Sequence, residues 1–259
     1  MPRFAANISM MFNEAPFLDR FAAAAKAGFK AVEFLFPYEF AAADIAQRLK
    51  DNGLQQVLFN APPGDWTKGE RGMAALPGRG AEFRENIKKA LDYATVLSCP
   101  RLHVMAGLAP VGVPRDALLS TYAANLAWAA EECAKAQVKP VIEPINHRDI
   151  PGFFLNTTDE AAAIIQAIGP ERIGMQFDLY HCQITEGDIV KRVEKHLPLI
   201  AHMQVADNPG RNEPGTGEVA WPFVFDAIDA LGFRGWIGCE YRPRGETLAG
   251  LNWFAPYRA

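Results

Sequence analysis

Residues 139–145 read KPVIEPI, a run with the length and apolar content of a buried β-strand that nevertheless carries an acidic residue, Glu143, near its end. Three later runs share this pattern of one oxygen-bearing side chain in an apolar strand. They are residues 173–180 (IGMQFDLY, with Asp178), 200–205 (IAHMQV, with Gln204) and 235–241 (GWIGCEY, with Glu240). A carboxylate inside an apolar strand is costly unless it is paired or binds a metal. Four such strands in succession therefore predict a divalent-metal site.

Strand-length apolar runs alternate with helix-period segments along the whole chain. The predicted strands are residues 4–12, 31–36, 55–60, 101–106, 139–145, 173–180, 200–205 and 235–241. Between them, the predicted helices include residues 14–27, 81–97, 114–137, 158–168 and 221–231. Eight βα repeats in 259 residues predict one (β/α)8 TIM-barrel domain over residues 1–259, with a doubly wound open sheet as the alternative.

Two long irregular segments follow predicted strands. Residues 60–80 contain five glycines and three prolines, and residues 206–217 read ADNPGRNEPGTG directly after the strand that holds Gln204. Long structureless segments in a compact domain are usually functional loops. In a barrel, both would lie over the C-terminal mouth.

Composition narrows the class of partner. The formal net charge is -4 and no basic block is present, which argues against a nucleic-acid or anionic-membrane surface. No stretch approaches the roughly 18 apolar residues of a membrane span, and the first residues lack the order of a signal peptide, so a cytoplasmic location is expected. The four cysteines form no CxxC pair and are expected to be reduced. A small molecule is the expected partner.

The four polar strand residues would converge in a barrel, because the C-terminal ends of its strands surround one pocket. Three carboxylates and one amide oxygen form an all-oxygen ligand set. Such a set favours Mg²⁺ or Mn²⁺ over zinc, whose sites are rich in cysteine and histidine.

Other polar residues surround this predicted mouth. His181 follows Asp178 by three residues and is a candidate to donate a hydrogen bond to a substrate oxygen. Positive charge for an anionic substrate would come from Lys68, Arg71, Arg211 and Arg242. Of the remaining histidines, His103 and His202 are expected in the core, and His196 at the surface.

Longer motifs resemble the xylose isomerase-like TIM barrels and, within them, the hydroxypyruvate isomerase family. The similarity runs along the whole chain. It rests on FAANISMMF (4–12), AVEFLFPY (31–38), GDWTKGERG (64–72), IEPIN (142–146) followed by DIPGFFLN (149–156), QFDLYH (176–181), QVADNPGRNEPGTGE (204–218) and GWIGCEYRPRG (235–245).

This resemblance implies both a site and a reaction. The family's metal ligands fall on Glu143, Asp178, Gln204 and Glu240, and its acid/base pair falls on Glu143 and Glu240. The implied reaction interconverts hydroxypyruvate and tartronate semialdehyde by a proton shift through an enediolate, with Mg²⁺ or Mn²⁺ as cofactor. The related ketose 3-epimerases usually carry histidine where this chain has Gln204.

Other functions are compatible with the same sequence features. Within the same class, the substrate would be a longer 2-oxo sugar acid of the 2-oxo-tetronate type, or a ketose undergoing 3-epimerisation. From other classes, a metal-dependent DNA-repair endonuclease needs a histidine-rich zinc site and a basic groove, and a non-catalytic barrel would lack an acid/base residue. By family analogy a homo-oligomer is expected, with the aromatic segment 251–257 packing on its own barrel or on a partner.

Overall fold

Eight parallel strands close into a barrel in chain order, in a computed structural model that describes residues 1–258. The strands are β1 (Arg3–Asn7), β2 (Ala31–Glu33), β3 (Gln55–Asn60), β4 (Arg101–His103), β5 (Lys139–Ile142), β6 (Gly174–Asp178), β7 (Ile200–Val205) and β8 (Trp236–Cys239). The predicted TIM barrel is confirmed, because β1 pairs with β8 and closes the sheet.

Eight α-helices accompany the strands. They are α1 (Arg20–Lys26), α2 (Ala42–Asp51), α3 (Gly80–Leu97), α4 (Arg115–Lys135), α5 (Thr158–Ile168), α6 (Leu179–Thr185), α7 (Ile189–His196) and α8 (Trp221–Ala230). Helix α5 begins with a capping box, in which the Thr157 hydroxyl accepts from the Glu160 amide while the Glu160 carboxylate accepts from the Thr157 amide.

Several strands are shorter than the sequence predicted. Residues 4–12 form a strand only to Asn7, and the residues after it turn until Phe12, which has a φ of 58°. Residues 173–180 form a strand only to Asp178, because Leu179 begins α6. The apolar run continues past each strand into buried turn or helix, where hydrophobicity alone does not mark the boundary.

The strand register brings the functional end of the barrel together. Asp178 on β6 pairs with Gln204 on β7, and Gln204 pairs with Gly238 on β8. Glu240 directly follows the last residue of β8. Parallel strands in this register bring the polar residues to one end of the barrel.

The C-terminal aromatic segment packs on its own barrel. Phe254 stacks on Phe29 with ring centroids 4.3 Å apart, and Trp253 meets Phe4 edge-on at 5.0 Å. This settles the two placements expected for residues 251–257 in favour of the chain's own core.

Other sequence expectations have mixed outcomes. The four cysteines are free and buried, as expected. His196 was wrongly expected at the surface: it is 3% exposed, because the apolar face of α7 turns it inward, where its ring lies 3.0 Å from Asp159. No helix within residues 1–258 combines the length and apolar content that crossing a bilayer requires.

Candidate active site

Four buried side chains meet at the C-terminal mouth of the barrel. Each of Glu143, Asp178, His181 and Glu240 offers an atom that lies within 4.8 Å of the atoms offered by the others. Glu143 Oε1 and Asp178 Oδ2 have no hydrogen-bond partner among the described residues. Unpaired buried carboxylate oxygens are costly in a dry interior. A bound divalent cation would satisfy them, so the residues present fit the predicted metal.

Without a bound cation, the three carboxyl groups of the cluster are harder to ionise than ordinary carboxyl groups. Burial, followed by the charges of Glu240 and Asp178, raises the pKa of Glu143 well above its usual value. Burial raises the pKa of Asp178 to about 6, and burial with the Asp178 charge raises the pKa of Glu240 to about 8 against the opposing effect of Arg211. Crowded acids of this kind are typical of functional sites.

His181 faces the cluster in a defined tautomer. The Asp149 amide donates to Asn146 Oδ1 at 2.8 Å, which turns Asn146 Nδ2 towards His181 Nδ1 at 2.6 Å. Since Nδ1 accepts this hydrogen bond, the ring hydrogen of the neutral imidazole lies on Nε2. Nε2 is 3.5 Å from Asp178 Oδ2 and 3.8 Å from Glu143 Oε1.

This tautomer suits a donor better than a ligand. A nitrogen that carries hydrogen cannot coordinate a cation, whereas it can donate to an oxygen. Burial and the Arg211 charge also lower the pKa of His181 well below its usual value, which keeps the ring neutral. The Nε2–H of His181 is therefore available as a donor beside the cluster, and its role in contacting substrate stays a prediction.

Gln204 on β7 is buried, with 1% exposure. Its Nε2 donates to Glu33 Oε1 at 2.8 Å, and its Oε1 accepts from Gln176 Nε2 at 2.6 Å. An amide oxygen has two lone pairs, so one remains for a further partner. The strand register places Gln204 beside Asp178, in agreement with the position that the sequence predicted.

Arg211 lies against the acidic cluster. Its Nη2 donates to Glu240 Oε2 at 2.7 Å and lies 3.9 Å from Asp178 Oδ2, while Nη1 donates to Asp149 at 3.2 Å. Burial opposes the charge of this guanidinium, but Glu240 and Asp178 raise the pKa of Arg211. The residue therefore offsets part of the negative charge of the cluster.

A cavity of about 470 Å³ opens over the cluster. Three of the four basic residues that the sequence proposed for the substrate line it: Arg71, Arg211 and Arg242. Lys68 does not line it. The Lys68 side chain is 81% exposed and forms an ion pair 2.9 Å long with Asp65, which also caps the short turn that holds Lys68. The expectation that Lys68 contributes to this cavity is thus unsupported by its placement.

Some residues at the mouth of the barrel were not predicted from the sequence. Trp66 lines the cavity beneath Arg71, whose guanidinium carbon lies 3.7 Å from the Trp66 ring centroid. Tyr180 and Arg148 also line it. Their positions depend on how the loops fold back over the barrel, which the spacing of residues in the sequence does not predict. Glu33, in contrast, showed the same signal as the four strand residues, an acid within an apolar strand.

Comparisons with known proteins agree with this geometry. Residues 21–257 match the family model of the xylose isomerase-like TIM barrel. The chain is 56% identical over 257 residues to 2-oxo-tetronate isomerase from Cupriavidus necator, covering 99% of each chain. It is 43% identical over 258 residues to hydroxypyruvate isomerase from Escherichia coli, covering 100% of each. A crystal structure described as AP endonuclease, family 2, from Brucella melitensis superposes with a TM-score of 0.98 at 49% identity, covering 100% of each chain.

Proposed function

Because the chain belongs to the xylose isomerase-like TIM barrel family, we propose that it is a metal-dependent isomerase of short 2-oxo-3-hydroxy acids. In this reaction a proton moves between C3 and C2, and the carbonyl group moves the other way. Hydroxypyruvate and 2-oxo-tetronate differ only by a hydroxymethyl group on C3, so one site chemistry serves both. The proposal extends to Mg²⁺ or Mn²⁺ as cofactor and to a cytoplasmic, homo-oligomeric protein.

The observation that carries the proposal is the cluster of Glu143, Asp178 and Glu240 beneath a cavity lined by arginines. With Gln204, these residues would hold the cation. When bound, the cation supplies Lewis-acid stabilisation of the negative charge that develops on the substrate oxygens. The arginines match the carboxylate of a 2-oxo acid.

Glu143 and Glu240 are the proposed acid/base pair. They follow β5 and β8, which are three strands apart in a barrel of eight, so their side chains reach the cluster from different sides. One carboxylate would remove the proton from C3 and return it to C2, while the other would carry the hydroxyl proton. Positioned acid/base groups of this kind are worth about 10² to 10⁴ in rate.

Two neighbouring side chains, Arg211 and His181, would assist this proton transfer. Arg211 Nη2 donates to Glu240 Oε2 at 2.7 Å, which fixes that carboxylate, and Arg211 Nε, which has no partner among the described residues, would donate to an anionic substrate. The Nε2–H of His181, oriented through Asn146, would donate to the oxygen that gains charge as the proton leaves. Loops 60–80 and 206–217 supply Trp66, Arg71 and Arg211 to the cavity wall and would keep water from the intermediate.

Between the two substrates, we favour 2-oxo-tetronate and keep hydroxypyruvate as the second candidate. The relative named for the four-carbon acid is 56% identical, whereas the relative named for hydroxypyruvate is 43% identical. The cavity of about 470 Å³ falls within the usual range for small-molecule sites and accommodates either acid.

An endonuclease reading gains no support from the site, although one similar structure carries that description. The candidate centre has three carboxylates and one histidine, and that histidine carries its ring hydrogen on the atom facing the cluster. A multi-zinc site needs several ligating nitrogens. The ligand set favours a single hard cation.

The test compares turnover of both acids. Protein stripped with chelator is reloaded with Mn²⁺ or Mg²⁺ and incubated with 2-oxo-tetronate, hydroxypyruvate or a ketose, and the products are followed by NMR. We expect 3-oxo acid from 2-oxo-tetronate with the higher kcat/KM, slower formation of tartronate semialdehyde, and loss of both with chelator or in Glu240→Gln. Turnover of the ketose alone would overturn the proposal.

A further inference from the structure

Glu33 is a buried carboxylate at the end of β2 that the proposed reaction does not use. It is 0% exposed and accepts hydrogen bonds from three side chains: Asn7 Nδ2 at 3.0 Å, His202 Nε2 at 2.6 Å and Gln204 Nε2 at 2.8 Å. A buried charge is tolerated when it is hydrogen-bonded in this way. Since one of the three donors is a proposed ligand of the cation, Glu33 has a direct connection to the site.

We infer that Glu33 is a positioning residue that fixes the amide of Gln204 with its oxygen available to the cation. This inference rests on the proposed metal site. An amide has a donor end and an acceptor end of nearly equal shape, and only the oxygen can ligate Mg²⁺ or Mn²⁺. A carboxylate only accepts hydrogen bonds, so Glu33 selects the nitrogen of Gln204 and leaves the oxygen on the other side.

A second contact supports the same orientation. Gln176 Nε2 donates to Gln204 Oε1 at 2.6 Å, so hydrogen bonds fix both the nitrogen and the oxygen of the Gln204 amide. The Oε1 atom of Gln176 has no partner among the described residues. Gln176 and Gln204 could therefore turn over together and keep the hydrogen bond between them, which makes Glu33 the fixed point of the chain Glu33–Gln204–Gln176.

The barrel also provides room for Glu33. A Cβ on Gly238 would overlap the Glu33 carboxylate, and Gly238 is the β8 residue paired with Gln204. Three strands thus cooperate: β2 supplies the carboxylate, β7 the amide, and β8 the space between them. The Glu33 charge also contributes to the raised pKa values of Glu143, Asp178 and Glu240, which places it close beneath the cluster.

Removing the carboxylate tests the inference. In Glu33→Met, Gln204 Nε2 loses its acceptor, so the amides of Gln204 and Gln176 can turn over together, which points Gln204 Nε2 at the cation. We expect Mn²⁺ affinity, measured by calorimetry and by the Mn²⁺ EPR signal without substrate, to fall about 10- to 100-fold.

In the double variant Glu33→Met/Gln204→Glu, the amide that Glu33 orients is itself replaced. Position 204 then presents a carboxylate oxygen, which needs no orientation. We expect Mn²⁺ affinity to return to within about threefold of the starting protein, a non-additive result in a double-mutant cycle. The double variant is measured whether or not the single variant folds.

Gln56→Met is the matched control. Gln56 is another buried barrel glutamine, 2% exposed, whose Nε2 donates to the Leu58 carbonyl rather than to the site. We expect its Mn²⁺ affinity to be unchanged. If urea denaturation shows a similar loss of stability in Gln56→Met and Glu33→Met, a loss of Mn²⁺ affinity in Glu33→Met alone reports the orientation of the ligand and not a weakened fold.

Three results would overturn the inference: unchanged Mn²⁺ affinity in Glu33→Met, a loss that the double variant does not restore, or no Mn²⁺ binding by the starting protein. The last result also removes the metal site. Normal Mn²⁺ binding without turnover of either acid would instead refute the proposed substrates and leave the role of Glu33 standing.

Discussion

Metal affinity should depend steeply on pH, because the cation and protons compete for the same buried carboxylates. Glu240 has a pKa of about 8 and Asp178 a pKa of about 6 in the metal-free protein. At pH 6, Glu240 is almost fully protonated, which weakens binding about 100-fold relative to the ionised group, whereas at pH 8 the penalty is about twofold. Asp178 adds about a factor of two at pH 6. The dissociation constant for Mn²⁺ should therefore fall at least roughly 100-fold from pH 6 to pH 8, since protonation of Glu143, whose pKa is also raised, acts in the same direction.

Titration calorimetry at pH 6, 7 and 8 measures this change. Repeating each titration in two buffers of different ionisation enthalpy counts the protons released, and at least about one proton per cation is expected at pH 7, because the pKa of Glu143 is raised as well. Glu240→Gln is the control, since it removes the group with the pKa of about 8 and should flatten the profile while weakening binding overall. A dissociation constant that changes less than threefold across this range would refute the reasoning.

Three further outcomes are expected. The folded-state pKa of Glu240 is raised from 4.5 to about 8, so the unfolded chain loses this proton at a lower pH than the folded protein does. The free energy of unfolding without metal should therefore fall as pH rises from 4.5 to 8. Urea denaturation of Glu240→Gln should show a weaker fall. Arg211→Met should lower the unfolding free energy of the metal-free protein at pH 8 by about 3 kcal/mol, and saturating Mn²⁺ should remove most of the difference; an equal loss with and without Mn²⁺ would contradict this. Gly238→Ala should displace Glu33 and destabilise the protein by about 1 to 3 kcal/mol, with weaker Mn²⁺ binding by calorimetry; unchanged binding would argue against the close approach.

Much of the fold was predictable because each βα unit repeats one pattern. Residues 200–205 and 158–168 were predicted with the observed boundaries, since turn or capping residues limit both. The boundaries of β1 and β6 were wrong, because the chain after each strand stays apolar and buried while it turns.

The acidic cluster was also predictable, because a carboxylate in an apolar strand is rare and the barrel topology brings strand ends together. Loop residues were less predictable. The side chain of Lys68 points to solvent and Trp66 lines the cavity, although both belong to the same short turn. The tautomer of His181 depends on Asn146 and the Asp149 amide, a contact that only the folded loop reveals.

The most direct test of the proposed chemistry follows one proton. The metal-loaded protein is incubated with 2-oxo-tetronate in D₂O, and deuterium at C3 of the remaining substrate and at C2 of the product is measured by NMR, alongside Glu143→Gln and Glu240→Gln. Wherever the carboxylate exchanges the proton with solvent before returning it, deuterium appears at both carbons, and the proposed acid/base pair predicts turnover and exchange at least 100-fold slower in each variant. Turnover in both variants at the rate of the starting protein would contradict it.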